Sequence, residues 1–260
     1  MRVHGHRLAR SFGSAGAALT IVLLVEQQWA AYHDFPSFPD LDPSGIFGDP
    51  AHPLRRIALL GDSTITAPGL ESADDIWIRQ LIPDLTDGYR LQIESAAFGG
   101  ARLSDVVNVQ IPELSGSFDL ALVSAGSNDA LRGMTQLQMR QMLTRICDGL
   151  LEFCEVVVLA GAGDIGTAPR LPFPLSAIAT ARARATDIAH TAAANENDRI
   201  FHIPMWELTT PQYRTEKDLF SGDRFHPNRR GHAIWAKAAL PTFQAALARP
   251  PSPTAPAQDD

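Results

Sequence analysis

The stretch Arg56-Ile57-Ala58-Leu59-Leu60-Gly61-Asp62-Ser63-Thr64 joins a short apolar run to a polar turn. Its apolar residues follow one another without alternation, which is typical of a strand covered on both faces of a parallel sheet. Four further short runs, at residues 90–94, 120–123, 155–159 and 199–203, are also predicted to be strands. The sequence therefore predicts a sheet of about five strands.

Longer segments with a helical pattern separate the predicted strands and follow the last one. They lie at residues 72–85, 103–111, 135–153, 175–195 and 227–247, and Pro227 suits the first turn of the last helix. Strands that alternate with helices predict an α/β fold, here a three-layer doubly wound sandwich around a parallel sheet. Functional sites in such sheets form at the carboxyl ends of the strands.

The composition narrows the possible functions. A chain of 260 residues with 45% hydrophobic residues is long enough for one sizeable domain. Its 22 basic and 29 acidic residues give a net charge of -7, which argues against a nucleic-acid or anionic-membrane binder. The two cysteines, Cys147 and Cys154, have no metal-binding spacing and are predicted to be small buried residues. A disulfide between them is the alternative, and it would suit an exported protein.

The two ends of the chain differ from its middle. Residues 1–33 form a leader in which three arginines precede an uncharged apolar run at 11–25, the layout of an export signal or membrane anchor. This predicts an extracytoplasmic protein, secreted or associated with a membrane through the leader; a packed N-terminal helix of a cytoplasmic protein is the alternative. Residues 34–54 are predicted to be a Pro-rich linker, 55–248 the folded domain and 249–260 a disordered tail.

Chemically useful residues follow the predicted strands. Ser63 comes directly after the first strand, Gly99-Gly100 after the second and Asn128 after the third, while Asp223 and His226 lie three residues apart before the last helix. Each feature alone is common in turns and helix caps. Together they supply a nucleophile, a base, a group that orients the base, and oxyanion donors, which are the requirements of acyl transfer.

In these residues the chain resembles the GDSL/SGNH hydrolase family, whose four sequence blocks carry Ser, Gly, Asn and His. The matching blocks occur in the family's order between residues 57 and 226, and they are Gly61-Asp62-Ser63, Gly100, Gly126-Ser127-Asn128-Asp129 and Asp223-Arg224-Phe225-His226. Thr64 occupies the position of the leucine in the Gly-Asp-Ser-Leu motif after which the family is named. Residues 219–227 are similar to actinobacterial-type members.

The resemblance implies a flavodoxin-like fold and assigns roles to these residues. Ser63 is expected to be the nucleophile, His226 the general base and then acid, and Asp223 the carboxylate that orients His226. The oxyanion hole is expected to consist of the backbone N–H groups of Ser63 and Gly100 and the side chain of Asn128. No cofactor and no metal ion are expected.

The predicted function is hydrolysis of small or lipid-like carboxylic esters through an acyl-serine intermediate. A carbohydrate O-acetyl esterase is one alternative, and a non-catalytic, anchored binding module with the same fold is another. An oxidoreductase is disfavoured. The stretch Gly161-Ala162-Gly163-Asp164-Ile165-Gly166 fits a dinucleotide fingerprint, but the prolines at 169, 172 and 174 prevent the helix that such a site needs. This stretch is predicted instead to be a loop at the rim of the active-site cleft.

Overall fold

The computed structural model of the protein describes residues 34–249. The predicted leader, residues 1–33, lies outside this part, as do residues 250–260 of the predicted tail. Within residues 34–249, no helix has both the length and the apolar character needed to cross a membrane. Export or anchoring by the leader stays a prediction.

A six-stranded sheet forms the centre of the molecule, with the strand order β1-β3-β2-β4-β5-β6. The strands are β1 (Gly45–Phe47), β2 (Leu54–Gly61), β3 (Arg90–Ser95), β4 (Phe118–Ser124), β5 (Cys154–Ala160) and β6 (Ile200–Ile203). Strands β2 to β6 are parallel, and β1 pairs antiparallel with β3 at one edge. The predicted doubly wound α/β fold is confirmed, and β1 adds a sixth strand from the stretch predicted to be a linker.

The central strands are apolar on successive residues because both faces of the sheet are covered. In β2, Ile57 and Leu59 join one hydrophobic cluster, whereas Ala58 and Leu60 join the cluster on the opposite face. Neighbouring side chains of a strand point to opposite faces, so both must find apolar partners. This packing determines where β2 ends and therefore where Ser63 lies.

Helices cover both faces of the sheet. They are α1 (Ser63–Thr66), α2 (Trp77–Gln80), α3 (Ile82–Leu85), α4 (Leu103–Asp105), α5 (Ile111–Glu113), α6 (Ser127–Leu131), α7 (Gln136–Leu150), α8 (Leu175–Ala194), α9 (Met205–Thr215) and α10 (Arg229–Leu247). A π-helical turn, Val106–Gln110, joins α4 to α5. Helices α2 and α10 contribute Trp77 and Phe243 to one cluster, while α7 and α8 contribute Leu143 and Ala189 to the other.

The helices of the structure differ in places from those predicted. The helix predicted at 72–85 is divided into a 3-10 turn (Ala73–Asp75), α2 and α3, and Pro83 in the first turn of α3 lacks the N–H that a continuous helix requires. Helix α9 was not predicted. The placement of Pro227 in the first turn of the last helix was wrong, because α10 begins at Arg229 and the Asn228 side chain caps it by accepting hydrogen bonds from the N–H groups of Arg230 and Gly231.

The buried cysteines and one buried histidine are packing residues. Cys147 and Cys154 are both free and buried, as predicted, and burial raises the pKa of each thiol to about 12. His232 accepts a hydrogen bond at Nδ1 from the backbone N–H of Trp77, at 3.2 Å. Burial lowers the pKa of His232 to about 3, so this ring is neutral at physiological pH.

Candidate active site

Ser63, His226 and Asp223 form a continuous hydrogen-bonded chain. His226 Nε2 lies 3.0 Å from Ser63 Oγ, and His226 Nδ1 lies 2.6 Å from Asp223 Oδ2. The Asp223 carboxylate can only accept a hydrogen bond, so His226 Nδ1 must donate it. The proton of the neutral imidazole therefore lies on Nδ1, and Nε2 is left as an acceptor. The Ser63 hydroxyl can therefore donate its proton to His226.

The turn between β2 and α1 presents Ser63. Gly61 has a φ of +149°, and a Cβ there would collide with the carbonyl oxygen of Ser124 in β4. Asp62 caps α1 by accepting from the backbone N–H of Thr64 at 2.9 Å. The Thr64 hydroxyl lies 2.7 Å from Ser124 Oγ, so this threonine ties the turn that carries Ser63 to β4.

A tight turn before α10 holds Asp223 and His226 close together. The backbone N–H of Ser221 donates to the carbonyl of His226 at 2.8 Å, and Asp223 Oδ1 accepts from the backbone N–H groups of Phe225 and His226. Burial alone would raise the pKa of Asp223, but the hydrogen bonds from the His226 ring and these two N–H groups outweigh it. The pKa of Asp223 is therefore lower than usual, and the carboxylate is ionised at neutral pH.

A second carboxylate, Asp62, lies directly beside Ser63. Its side chain is buried, and its Oδ2 accepts from Asn128 Nδ2 at 3.2 Å. Burial raises the pKa of Asp62 to about 6, against the lowering effect of its hydrogen bonds to Thr64. Sequence reasoning did not assign this residue a role, although it lies inside the Gly-Asp-Ser block.

The predicted oxyanion donors are the backbone N–H groups of Ser63 and Gly100 and the side chain of Asn128. The backbone N–H groups of Ser63 and Gly100 have no hydrogen-bond acceptor within residues 34–249. Gly100 lies in a turn that the Ala101 N–H closes by donating to the carbonyl of Phe98, and its φ of +77° is one that glycine adopts readily. Asn128 Nδ2 donates to the Ala101 carbonyl at 3.0 Å as well as to Asp62. Asn128 must give up one of these bonds before it can donate to a substrate.

A mostly apolar cavity of about 100 Å³ opens beside Ser63 and His226. Its aromatic wall consists of Trp77, Tyr213, Phe220, Phe225 and Trp235. The sequence carried no signal for the convergence of these rings. A ligand that enters this cavity is surrounded mainly by hydrocarbon.

The glycine-rich loop after β5 lines the same cavity, at the position predicted for a cleft rim. Gly161 and Gly163 both contribute to the wall. A Cβ at Gly161 would collide with the Asp187 carboxylate, so tight packing explains this glycine without a bound phosphate. Among the described side chains, no group of three or more His, Cys, Asp or Glu residues is placed to hold a metal ion.

Comparisons with known proteins identify the family that this chain matches. The model of the GDSL-like lipase/acylhydrolase family matches residues 59–234. A GDSL-like esterase of Mycobacterium tuberculosis is 28% identical over 249 residues, with 86% of this chain and 77% of that protein covered.

Two solved structures share the fold. TesA has a TM-score of 0.57 at 21% identity, with 74% of this chain and 99% of TesA covered. An acetylxylan esterase of Geobacillus stearothermophilus has a TM-score of 0.52 at 14% identity, with 75% and 95% covered. At these identities the likeness concerns the architecture alone.

Proposed function

The chain belongs to the GDSL-like lipase/acylhydrolase family and is a carboxylic ester hydrolase, and on this premise we propose that Ser63, His226 and Asp223 are its catalytic relay. The observation that carries the proposal is the contact of one imidazole with both partners, Ser63 Oγ at 3.0 Å and Asp223 Oδ2 at 2.6 Å. A non-catalytic binding module would not require this alignment.

The reaction proceeds through an acyl enzyme. Ser63 Oγ attacks the carbonyl carbon of the ester while its proton passes to His226 Nε2, and the ionised Asp223 stabilises the imidazolium that forms. His226 then gives the proton to the departing alcohol oxygen as the bond from that oxygen to the acyl carbon breaks. Water, deprotonated by the same imidazole, then attacks the acyl carbon. The bond from that carbon to Ser63 Oγ breaks as His226 returns the proton to Ser63 Oγ, which releases the acid and the free serine.

The negative oxygen of the tetrahedral intermediate needs hydrogen-bond donors that are already in place. The free N–H groups of Ser63 and Gly100 suit this role because no protein acceptor within residues 34–249 competes for them. Asn128 is the third donor, and its longer bond, to Asp62 at 3.2 Å, is the one more easily exchanged for the substrate.

Replacement of Asn128 by alanine is expected to lower kcat by about 10²-fold, because one donor to the developing oxyanion is lost. The variant also loses the bond to Ala101, so its thermal unfolding should be measured beside its steady-state kinetics. A kcat equal to that of the wild type, in a folded variant, would remove Asn128 from the oxyanion hole.

The apolar cavity favours esters whose acyl group is hydrocarbon, from short to lipid-like chains. Burial of each methylene group in such a cavity is worth roughly 0.8 kcal/mol, so a longer acyl group gains binding until the cavity is full. Aromatic side chains on several sides of the cavity offer few hydrogen bonds to the hydroxyl groups of a sugar.

A screen of p-nitrophenyl esters from acetyl to palmitoyl, with acetylated xylooligosaccharides in parallel, tests this substrate class. We expect kcat/KM to rise with acyl length over the first few carbons and then to fall. A preference for the acetylated sugar over every simple ester would instead support a carbohydrate O-acetyl esterase. No turnover of any ester would contradict the proposed reaction.

A further inference from the structure

Asp40 bridges the two backbone segments that carry the predicted oxyanion donors, and we propose that it is a positioning residue for the oxyanion hole. The inference rests on the proposed function and extends it to a residue outside the four family blocks. Asp40 lies in segment 34–43, which has no regular secondary structure, precedes β1 and is here named the strap.

The two carboxylate oxygens of Asp40 have separate partners. Oδ1 accepts a hydrogen bond from the Thr66 hydroxyl at 2.7 Å, and Oδ2 accepts one from the backbone N–H of Gly99, also at 2.7 Å. Thr66 is the last residue of α1, the helix that begins with Ser63. Gly99 directly precedes Gly100. One side chain therefore connects the nucleophile helix to the Gly99-Gly100 turn.

This turn needs an external restraint because it contains two consecutive glycines. Glycine has the largest backbone freedom of any residue, so the direction of the Gly100 N–H is weakly determined by local geometry. An oxyanion donor is effective when it is held in position before the reaction, and a displacement of about 1 Å can cost roughly 10²-fold in rate. Asp40 holds the peptide plane next to the one that carries the Gly100 N–H.

Asn128, which belongs to one of the four family blocks, holds the other side of the Gly99-Gly100 turn. Asn128 Nδ2 donates to the carbonyl of Ala101, while Asp40 accepts from Gly99. The turn is thus fastened on both sides of Gly100, once by Asn128 and once by the strap.

The strap itself is anchored, so Asp40 arrives at a defined place. The backbone N–H of Leu41 donates to the carbonyl of Thr66 at 2.8 Å, and Pro43 is buried. On the other side of Asp40, the Phe38 ring packs against Gly69 and Gly222, the latter beside Asp223.

The local packing leaves little room for another arrangement. A Cβ on Gly99 would lie 2.7 Å from Asp40 Oδ1, closer than real Cβ atoms come to such a group. Gly99 has an ordinary negative φ, in contrast to Gly100, so backbone strain does not explain the glycine. The absence of a side chain at Gly99 instead allows the carboxylate of Asp40 to approach the backbone.

Three variants test the inference with p-nitrophenyl butyrate as substrate. Asp40→Ala removes both hydrogen bonds, and we expect kcat to fall about tenfold or more with KM changed less than about threefold. Asp40→Asn keeps the shape and can accept from Gly99 through Oδ1 while its amide donates to the Thr66 hydroxyl, so it should recover most of the wild-type kcat. Asp42→Ala is the matched control, since Asp42 lies in the same strap and accepts only from the nearby Ser44 N–H within residues 34–249.

Thr66→Val tests the same bridge through the hydrogen-bond partner of Asp40 on α1. It removes one of the two anchors of Asp40, and the double variant with Asp40→Ala should be no slower than Asp40→Ala alone, because both changes break the same bridge. Additive losses would contradict a shared action of the two residues.

Unchanged kcat in Asp40→Ala, or equal losses in Asp40→Ala and Asp40→Asn, would overturn the inference. A failure of the proposed function would look different, because the wild type and Asp42→Ala would then also fail to turn over the ester. Reaction of wild-type Ser63 with a fluorophosphonate, followed by mass spectrometry, reports on the nucleophile independently of Asp40.

Discussion

Replacement of Ser63 by alanine is expected to lower kcat for p-nitrophenyl butyrate by about 10⁴-fold or more, with the fold intact. Ser63 Oγ is the atom that would form the acyl bond, and alanine offers no other nucleophile at that position. The side chain is half-buried at the edge of the cavity, and its hydroxyl bonds to His226, so its removal leaves the hydrophobic clusters untouched. Thermal unfolding of the two proteins should therefore agree closely.

Ser127→Ala is the matched control for this experiment. Ser127 lines the same cavity, but it has no hydrogen bond to His226. It should keep activity near that of the wild type, and it should still gain the mass of a fluorophosphonate adduct, whereas Ser63→Ala should not. Full ester turnover by Ser63→Ala would refute the assignment of the nucleophile.

Replacement of Asp223 by asparagine is expected to lower kcat by about 10⁴-fold at neutral pH. Asp223 Oδ1 already accepts from two backbone N–H groups, so the asparagine oxygen takes that place and its amide N–H₂ faces His226 Nδ1. Nδ1 must then become the acceptor, which moves the imidazole proton to Nε2. In that tautomer His226 cannot accept the Ser63 proton.

Asp164→Asn separates this effect from the general loss of a buried carboxylate. Asp164 is also buried and lines the same cavity, but it pairs with Arg214 at 2.7 Å and does not contact His226. We expect this variant to lose stability while its kcat changes far less than that of Asp223→Asn. Similar losses of kcat in the two variants would indicate that Asp223 has a structural role and does not act through the imidazole.

Most of the sheet could be predicted from the sequence because burial on both faces leaves a local signature. Ile57, Ala58, Leu59 and Leu60 are apolar in succession, and each is fully buried in the structure. Strand β1 has no such signature, since it is a three-residue edge strand whose Ile46 is exposed. It forms because β3 offers unpaired backbone groups at the edge of the sheet, which is a property of the assembled fold.

The predicted site residues converge for a similar reason. Parallel strands bring their carboxyl ends to the same end of the sheet, so Asn128 reaches both Asp62, next to Ser63, and Ala101, next to Gly100, although these residues are far apart in sequence. Asp223 and His226 lie on one turn, and their spacing alone allows the carboxylate to reach the ring. Neither Asp40 nor the aromatic wall of the cavity has such a local signal.

The sequence by itself therefore determined the five parallel strands, most of the longer helices and the residue types at the strand ends, because backbone periodicity and short-range spacing are local properties. Tertiary structure alone decided the distances of the relay, the bridge from Asp40 to Thr66 and Gly99, and the convergence of Trp77, Tyr213 and Trp235 around one cavity. These depend on side chains from distant segments that compete for the same partners and the same space. That competition is resolved only when the whole core has packed.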